Sequence, residues 1–134
     1  MGASYCHHST CAIEDAPTNR AAIVEIITSI GNQHGLSDRT ERWREDMVRF
    51  SSPLRHDTND EVISFVVSNR NTEAVGIRLQ GYRSGGKLLV EIGQVRWSKK
   101  RCATYILIHE DLVAEVRRRF GGAVSFREAD HLLL

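Results

Sequence analysis

The chain of 134 residues is 41% hydrophobic and 26% charged, with a formal net charge of +1, which is typical of one globular domain. This net charge excludes a general electrostatic attraction to nucleic acids or membranes, and no stretch approaches the roughly 18–20 apolar residues that span a bilayer. Residues 1–20 lack the apolar segment of a signal peptide. The three cysteines form an odd set, so we expect reduced thiols in a cytoplasmic protein.

The N-terminal segment, residues 1–17, shows neither a helical nor an alternating hydrophobic period. The sequence therefore predicts a flexible N-terminal arm, followed by a single α+β domain over residues 18–134. The arm contains zinc-type ligands, and Cys6 and Cys11 have a suitable spacing. The adjacent His7 and His8 rarely reach the same tetrahedral ion, however, so we expect a polar arm without metal.

Two amphipathic helices are predicted next. Ile23, Ile26, Ile27 and Ile30 recur at helical spacing after a start at Thr18 or Asn19. A second helix over residues 38–53 presents Trp43, Met47 and Phe50 on one face and ends at Pro53. A short loop joins the two, so we expect an N-terminal helical hairpin.

The second half of the chain has the pattern of β-strands. Four strands are predicted at residues 61–68, 73–83, 87–97 and 101–108, with breaks so short that neighbouring strands should pair antiparallel. A basic amphipathic helix follows from His109, with Leu112, Val116 and Phe120 in its apolar stripe. Residues 123–126 could add a short edge strand. The expected fold is α+β, with a four- to five-stranded antiparallel sheet and the C-terminal helix packed on one face.

Catalytic motifs are absent from the sequence. Gly85-Gly86 is typical of a hairpin turn rather than a phosphate-binding loop, and no nucleophile elbow or zinc-protease motif occurs. Cys102 lies in a predicted strand and His109 stands at the end of that strand, too far along it to act as the base for a nucleophilic Cys102. Glu91 lies in a strand without the lysine and acidic partners of a nuclease motif. We therefore expect no catalytic residues and no cofactor, and we favour a non-catalytic protein over an enzyme.

Basic and aromatic residues cluster around the last predicted strands. Cations beside stacking aromatics form the usual platform for single-stranded nucleic acids. Turn lysines that keep a hairpin soluble are the plainer interpretation of the same residues. The candidate binding residues are Tyr82, Arg83, Arg96, Trp97, Lys99, Lys100 and Arg101.

A resemblance to a known family supports the interpretation of these residues as a nucleic-acid-binding platform. It rests on Lys87-Leu88-Leu89-Val90-Glu91-Ile92, then Trp97, the basic turn and the segment leading to Asp111-Leu112. This part of the second half resembles strands three and four of the single-stranded-DNA-binding domain of a family of transcriptional coactivators. The resemblance is confined to the second half of the chain and consists of four antiparallel strands followed by one helix. It implies a nucleic-acid-binding sheet and assigns no binding residue.

The sequence as a whole favours a small non-catalytic binding protein that acts through protein–protein contacts, such as an inhibitor, immunity protein, adaptor or phage-type antagonist. Such a protein needs only a folded surface, and the low net charge places it ahead of a dedicated nucleic-acid binder. The alternatives are a single-stranded nucleic-acid-binding protein that uses the sheet and the turn at residues 96–101, and a small enzyme without a recognisable motif. We expect a protein partner and no membrane association, with a homodimer through strand edges as a further alternative.

Overall fold

The computed structural model describes residues 4–38, 41, 61–67, 77–96 and 102–133. Two helices and six strands lie within these ranges. The helices are α1 (Pro17–Gln33) and α2 (Ala103–Phe120). The strands are β1 (Ser4–Glu14), β2 (Ser37–Asp38), β3 (Glu61–Val67), β4 (Ile77–Ser84), β5 (Lys87–Arg96) and β6 (Arg127–Leu133).

The described strands form one antiparallel sheet in the order β2-β3-β4-β5-β1-β6. The first strand of the chain lies inside this sheet, between β5 and β6. Because β5 and β6 are both antiparallel to β1, they run parallel to each other, and α2 connects them across β1. This connection is a split β-α-β unit. The predicted α+β class and antiparallel sheet are confirmed, and the sheet has more strands than the sequence predicted.

The hydrophobic core lies between one face of the sheet and the two helices. Ile23, Ile27 and Ile30 of α1 meet Leu112 and Val116 of α2 over this face. The sheet contributes alternate residues to the core, as the two-residue period of a strand requires. These sheet residues are Cys11, Ile13, Ile77, Leu79, Leu88, Val90 and Ile92.

The segment predicted as a flexible arm, residues 1–17, contains β1 and the first residue of α1. The prediction of an arm therefore needs correction over these described residues. An alternating pattern is present, but its buried positions include polar residues. His7 and Ser9 are 1% and 0% exposed and point to the same face as Cys11 and Ile13. Polar side chains on the core face concealed the hydrophobic alternation on which strand prediction depends.

The predicted fourth strand, residues 101–108, is also wrong, because α2 begins at Ala103. Its local composition is rich in β-branched and aromatic residues, which favour strands. The helical period is visible only over a longer span, in the buried residues Tyr105, Ile108, Leu112 and Val116. The last strand starts at Arg127 rather than within residues 123–126. Of the four strands predicted between residues 61 and 108, on which the coactivator resemblance depended, the described residues contain three, β3, β4 and β5.

The other predicted strands agree with the structure to within a few residues. Residues 61–68, 73–83 and 87–97 correspond to β3, β4 and β5. The turn between β4 and β5 is formed by Gly85 and Gly86, whose φ angles of 59° and 79° suit glycine and a tight hairpin. The predicted helix over residues 38–53 lies almost wholly outside the described residues. Among the described helices, none is both long and apolar enough to cross a membrane.

Candidate functional site

The sheet has a second face, opposite α1 and α2, which we call the open face because neither described helix packs on it. Alternation along the strands assigns residues to this face, and cross-strand pairs such as Thr10 with Glu91 and Thr10 with Arg127 confirm that they are neighbours. The open face includes His8, Thr10, Ala12, Gln80, Tyr82, Leu89, Glu91, Arg127 and Ala129.

Glu91 is the centre of a polar cluster on the open face. Gln80 Nε2 donates to Glu91 Oε1 at 2.8 Å, and Tyr82 OH donates to Oε2 at 3.4 Å. Thr10 Oγ1 also donates to Oε2, at 3.3 Å. With its proton on Nε2, His8 donates to Oε2 at 2.5 Å and lies 3.1 Å from Thr10 Oγ1. We call these five residues the Glu91 cluster.

The cluster stabilises a carboxylate that is only 17% exposed at its side chain. Four donors converge on the two carboxylate oxygens, which offsets most of the cost of removing the charge from water. The cluster disfavours the ionisation of the Tyr82 phenol. Burial, together with the charge and the hydrogen-bond acceptance of Glu91, raises the pKa of the Tyr82 phenol to about 12. Tyr82 therefore remains a neutral donor at physiological pH.

A cavity of about 720 Å³ lies beside this cluster. Its lining includes His8 and Thr10 from the cluster, Leu89 and Ala12 from the neighbouring strands, and Arg127 at the start of β6. The connection between α2 and β6 supplies the other wall, through Ala123, Val124 and Ser125. The volume lies in the range of about 300–1,000 Å³ that ligand sites occupy, and a mainly apolar lining with a few polar groups is typical of them.

The predicted binding residues are only partly described. Tyr82 and Arg83 point to opposite faces of β4, since neighbouring residues in a strand alternate. Tyr82 belongs to the Glu91 cluster, whereas Arg83 Nε lies 3.0 Å from Asp15 Oδ2. The side chains of Arg96, Trp97, Lys99, Lys100 and Arg101 lie outside the described residues. The surface predicted for residues 96–101 therefore stays a prediction.

Asp15 joins two arginines at the end of β1. Arg20 Nε approaches the other carboxylate oxygen, Asp15 Oδ1, at 2.7 Å. The hydrogen bond from Arg20, supported by Arg83, holds the pKa of the Asp15 carboxyl below its usual value. This arrangement fixes the β1–α1 junction against the β4–β5 hairpin. It also pairs the charge of Arg83 with a carboxylate of the same protein.

A second polar group lies on the core face and joins a serine, a histidine and a glutamate. Ser9 Oγ is 2.9 Å from His109 Nε2, and Glu128 Oε1 is 3.9 Å from the same nitrogen. A hydrolytic triad requires the acid on Nδ1, so that Nε2 can accept the serine proton. Ser9 is also fully buried in the middle of a strand. Ser9, His109 and Glu128 are therefore the residue types of a catalytic triad, but they are not arranged in the geometry that a triad requires.

The ring of His109 is part of the core packing. It stacks on Tyr105 with ring centroids 6.0 Å apart and is nearly perpendicular to the ring of Phe126, with centroids 5.9 Å apart. Tyr105 in turn contacts His7, 5.9 Å away. These contacts give His109 a structural role at the junction of α2, β1 and β6.

The cysteines and histidines of β1 do not form a metal site within the described residues. His7 and Cys11 point into the core, while His8 points to the open face. Among the described side chains, no group of three or more metal-ligating residues could hold an ion. Burial raises the pKa of the Cys11 thiol to about 12, so the nucleophilic thiolate is suppressed there. Cys102 precedes α2 and is 3% exposed.

Comparisons with protein-family models, curated proteins and solved structures find no match to this chain.

Sequence reasoning found Tyr82 and missed the rest of the Glu91 cluster. His8 and Thr10 lay in the segment predicted as an arm, and Glu91 was considered only as part of a nuclease motif. The available signal was the pair of polar residues two positions apart in β1, His8 and Thr10, which predicts that one face of a strand is polar. It could be used only once β1 was known to be a strand.

Proposed function

We propose that the protein is a small non-catalytic binding protein that acts through protein–protein contacts, and that the open face receives its partner. The observation that carries this proposal is the cavity beside the Glu91 cluster, on a face that neither described helix covers. Apolar side chains at Ala12, Leu89 and Ala129 lie next to polar groups on both sides. An apolar centre with a polar rim is the usual anatomy of a protein interface.

The hydrogen bonding of the Glu91 cluster supports a binding role over a catalytic one. The carboxylate accepts hydrogen bonds from four neighbouring side chains, so its lone pairs are engaged within the protein. A general base must reach a substrate proton directly or through one water. Glu91 is better suited to fixing the side chains that form the cavity wall, which preorganises a surface for recognition.

Charge argues against the nucleic-acid alternative on this face. Phosphate binding requires several lysines or arginines with access to the backbone, whereas a carboxylate lies at the centre of the described open face. The basic residues between positions 96 and 101, which lie almost wholly outside the described residues, keep nucleic-acid binding as a second proposal. Affinity for a single-stranded oligonucleotide that falls steeply between 50 and 200 mM salt, by roughly 10³-fold or more, would support it. Absence of binding at low salt would eliminate it.

A site-specific cross-link tests the protein-binding proposal. A photoreactive amino acid replaces Ala12, which is exposed on the open face, and in a control variant it replaces Ala114, which is exposed on α2. Both variants are irradiated in cells of the native host. We expect a discrete, protease-sensitive adduct from position 12 that unlabelled protein competes away, and none from position 114. A nuclease-sensitive adduct, or equal labelling from both positions, would contradict the proposal.

A further inference from the structure

Strand β1 is longer than the strand beside it. Its pairing with β6 ends at Thr10 and Arg127, while its pairing with β5 continues to Glu14 and Lys87. Over residues 11–14, β1 therefore has a described strand on one side only. The other edge of these residues faces the connection between α2 and β6, at residues 121–126.

The cavity lies at this edge. Cys11 and Ala12 of β1 line one wall, and Ala123, Val124 and Ser125 line the opposite one. Within the described parts of the chain, no backbone hydrogen bond joins residues 11–13 to this connection. A strand edge that borders a cavity is a template for a further strand, because its N–H and C=O groups are already aligned for pairing.

Arg127 stands at the end of the cavity where β6 begins. Its side chain is exposed and lines the cavity. Among the described residues it takes part in no ion pair. One acid on each of β5 and β6 is engaged elsewhere: Glu91 lies within its cluster, and Glu128, which also lines the cavity, approaches His109. The guanidinium is therefore available to an incoming anion, and its planar fork suits a carboxylate.

We propose that the cavity captures the C-terminal residues of a partner polypeptide in an extended conformation, paired with the edge of β1 in line with β6. A strand that is antiparallel to β1 runs in the same direction as β6. Its last residue therefore points towards Arg127, where the terminal carboxylate binds the guanidinium. Apolar side chains of the peptide pack on Leu89, Ala12 and Val124. This inference depends on the proposed protein-binding function and names the part of the partner that binds.

The same chemistry, a carboxylate on an apolar body, also occurs in small organic acids. The strand edge favours the polypeptide, because only a peptide backbone offers the repeated donors and acceptors that pair with β1. The two sources differ in length dependence. A peptide ligand loses affinity when it is shortened to a single acetylated residue, whereas a small acid has no such dependence.

The test uses a library of random heptapeptides displayed with free C-termini and selected on the whole protein. Enriched sequences are synthesised as free acids, as C-terminal amides and as the acetylated last residue alone, and binding is measured by fluorescence anisotropy. We expect the free acid to bind about tenfold or more tightly than the amide, and the acetylated residue to bind at least as weakly as the amide. Arg127→Gln should abolish the preference for the acid, while Arg118→Gln, on the exposed face of α2, should retain it.

Several results would overturn the inference: no enriched sequence, equal binding of acid and amide, an unchanged preference in Arg127→Gln, or full affinity in the acetylated residue alone. The thermal midpoints of both variants serve as folding controls, since both arginines are exposed. The cross-link from Ala12 does not require a free carboxylate. A positive cross-link with equal binding of acid and amide would therefore overturn C-terminal capture and leave the proposed function standing.

Discussion

His8 Nε2 lies 2.5 Å from Glu91 Oε2, although 83 positions separate the two residues in the chain. The contact exists because β1 and β5 are adjacent, with Thr10 opposite Glu91 and His8 two residues further along β1, on the same face. Diagonal neighbours of this kind are within reach of long side chains. The pair joins the N-terminal strand to the β4–β5 hairpin and fixes one wall of the cavity.

Removal of the Glu91 charge should destabilise the protein. Glu91→Gln keeps the shape of the side chain but weakens the hydrogen bonds from His8, Thr10, Gln80 and Tyr82, so we expect a loss of about 1–2 kcal/mol in the free energy of unfolding. Urea denaturation at pH 7 measures this loss. Glu110→Gln, at an exposed position of α2, should change stability by less than about 0.5 kcal/mol. Equal effects of the two variants would show that the cluster carries no net stabilisation.

Stability should fall at alkaline pH through two groups on the sheet. The folded-state pKa values of Cys11 and Tyr82 are raised to about 12, from ordinary values of 9.0 and 10.0. The unfolded chain therefore loses these protons first, so the contribution is full below pH 9 and is lost as the pH rises towards 12. Urea midpoints measured from pH 8 to 11 should decline.

The same titration in two variants assigns the decline to its residues. Cys11→Ala should flatten the slope from about pH 9 upward, and Tyr82→Phe from about pH 10 upward. The comparison uses slopes rather than absolute stabilities, because Cys11→Ala also removes packing from the core. Parallel slopes in the wild-type protein and both variants would refute the assigned cause.

The helical period of α2 predicts a large difference between two identical substitutions. Leu112 is fully buried, so Leu112→Ala should cost about 2–5 kcal/mol. Leu107 is 55% exposed on the same helix, and Leu107→Ala should cost well under half of that amount. Chemical denaturation of both variants measures the difference. A larger loss at Leu107 would mean that residues 103–108 do not follow the helix described here.

Strand β1 should be among the best protected parts of the backbone. It lies between β5 and β6 and pairs with both over most of its length, so its amides should exchange only through opening of the sheet. Hydrogen exchange with mass spectrometry can follow a peptide that covers Ser4–Glu14. The connection at residues 121–126 is the internal control and should exchange faster. Complete exchange of β1 within seconds would restore the interpretation as an arm.

Local signals in the sequence were sufficient for the β4–β5 hairpin and for the apolar face of α1. Gly85-Gly86 specifies a tight turn by itself, and isoleucines at helical spacing need no distant partner to be recognised. Strand β1 depends on partners far away in the chain, and its buried His7 and Ser9 have no local signature. In residues 103–108, a strand-like composition competed with a helical period that becomes visible only by Val116. Tertiary context decided both cases.

The candidate site was harder to predict from the sequence than the fold, because its residues come from three separated strands. Tyr82 was selected for a surface with Arg83, yet the alternation of β4 places these neighbours on opposite faces. The cavity depends on the end of the β1–β6 pairing at Thr10 and Arg127, and register between distant strands is not encoded in any short motif.

A Leu89→Arg variant tests most directly whether the open face is the binding surface. The measurement is its affinity for the partner recovered from the Ala12 cross-link. The new side chain places bulk and charge in the cavity, so we expect a loss of affinity of about tenfold or more. Ala21→Arg, at an exposed position of α1, should bind as the wild-type protein does. Unchanged affinity of a folded Leu89→Arg variant would contradict the claim.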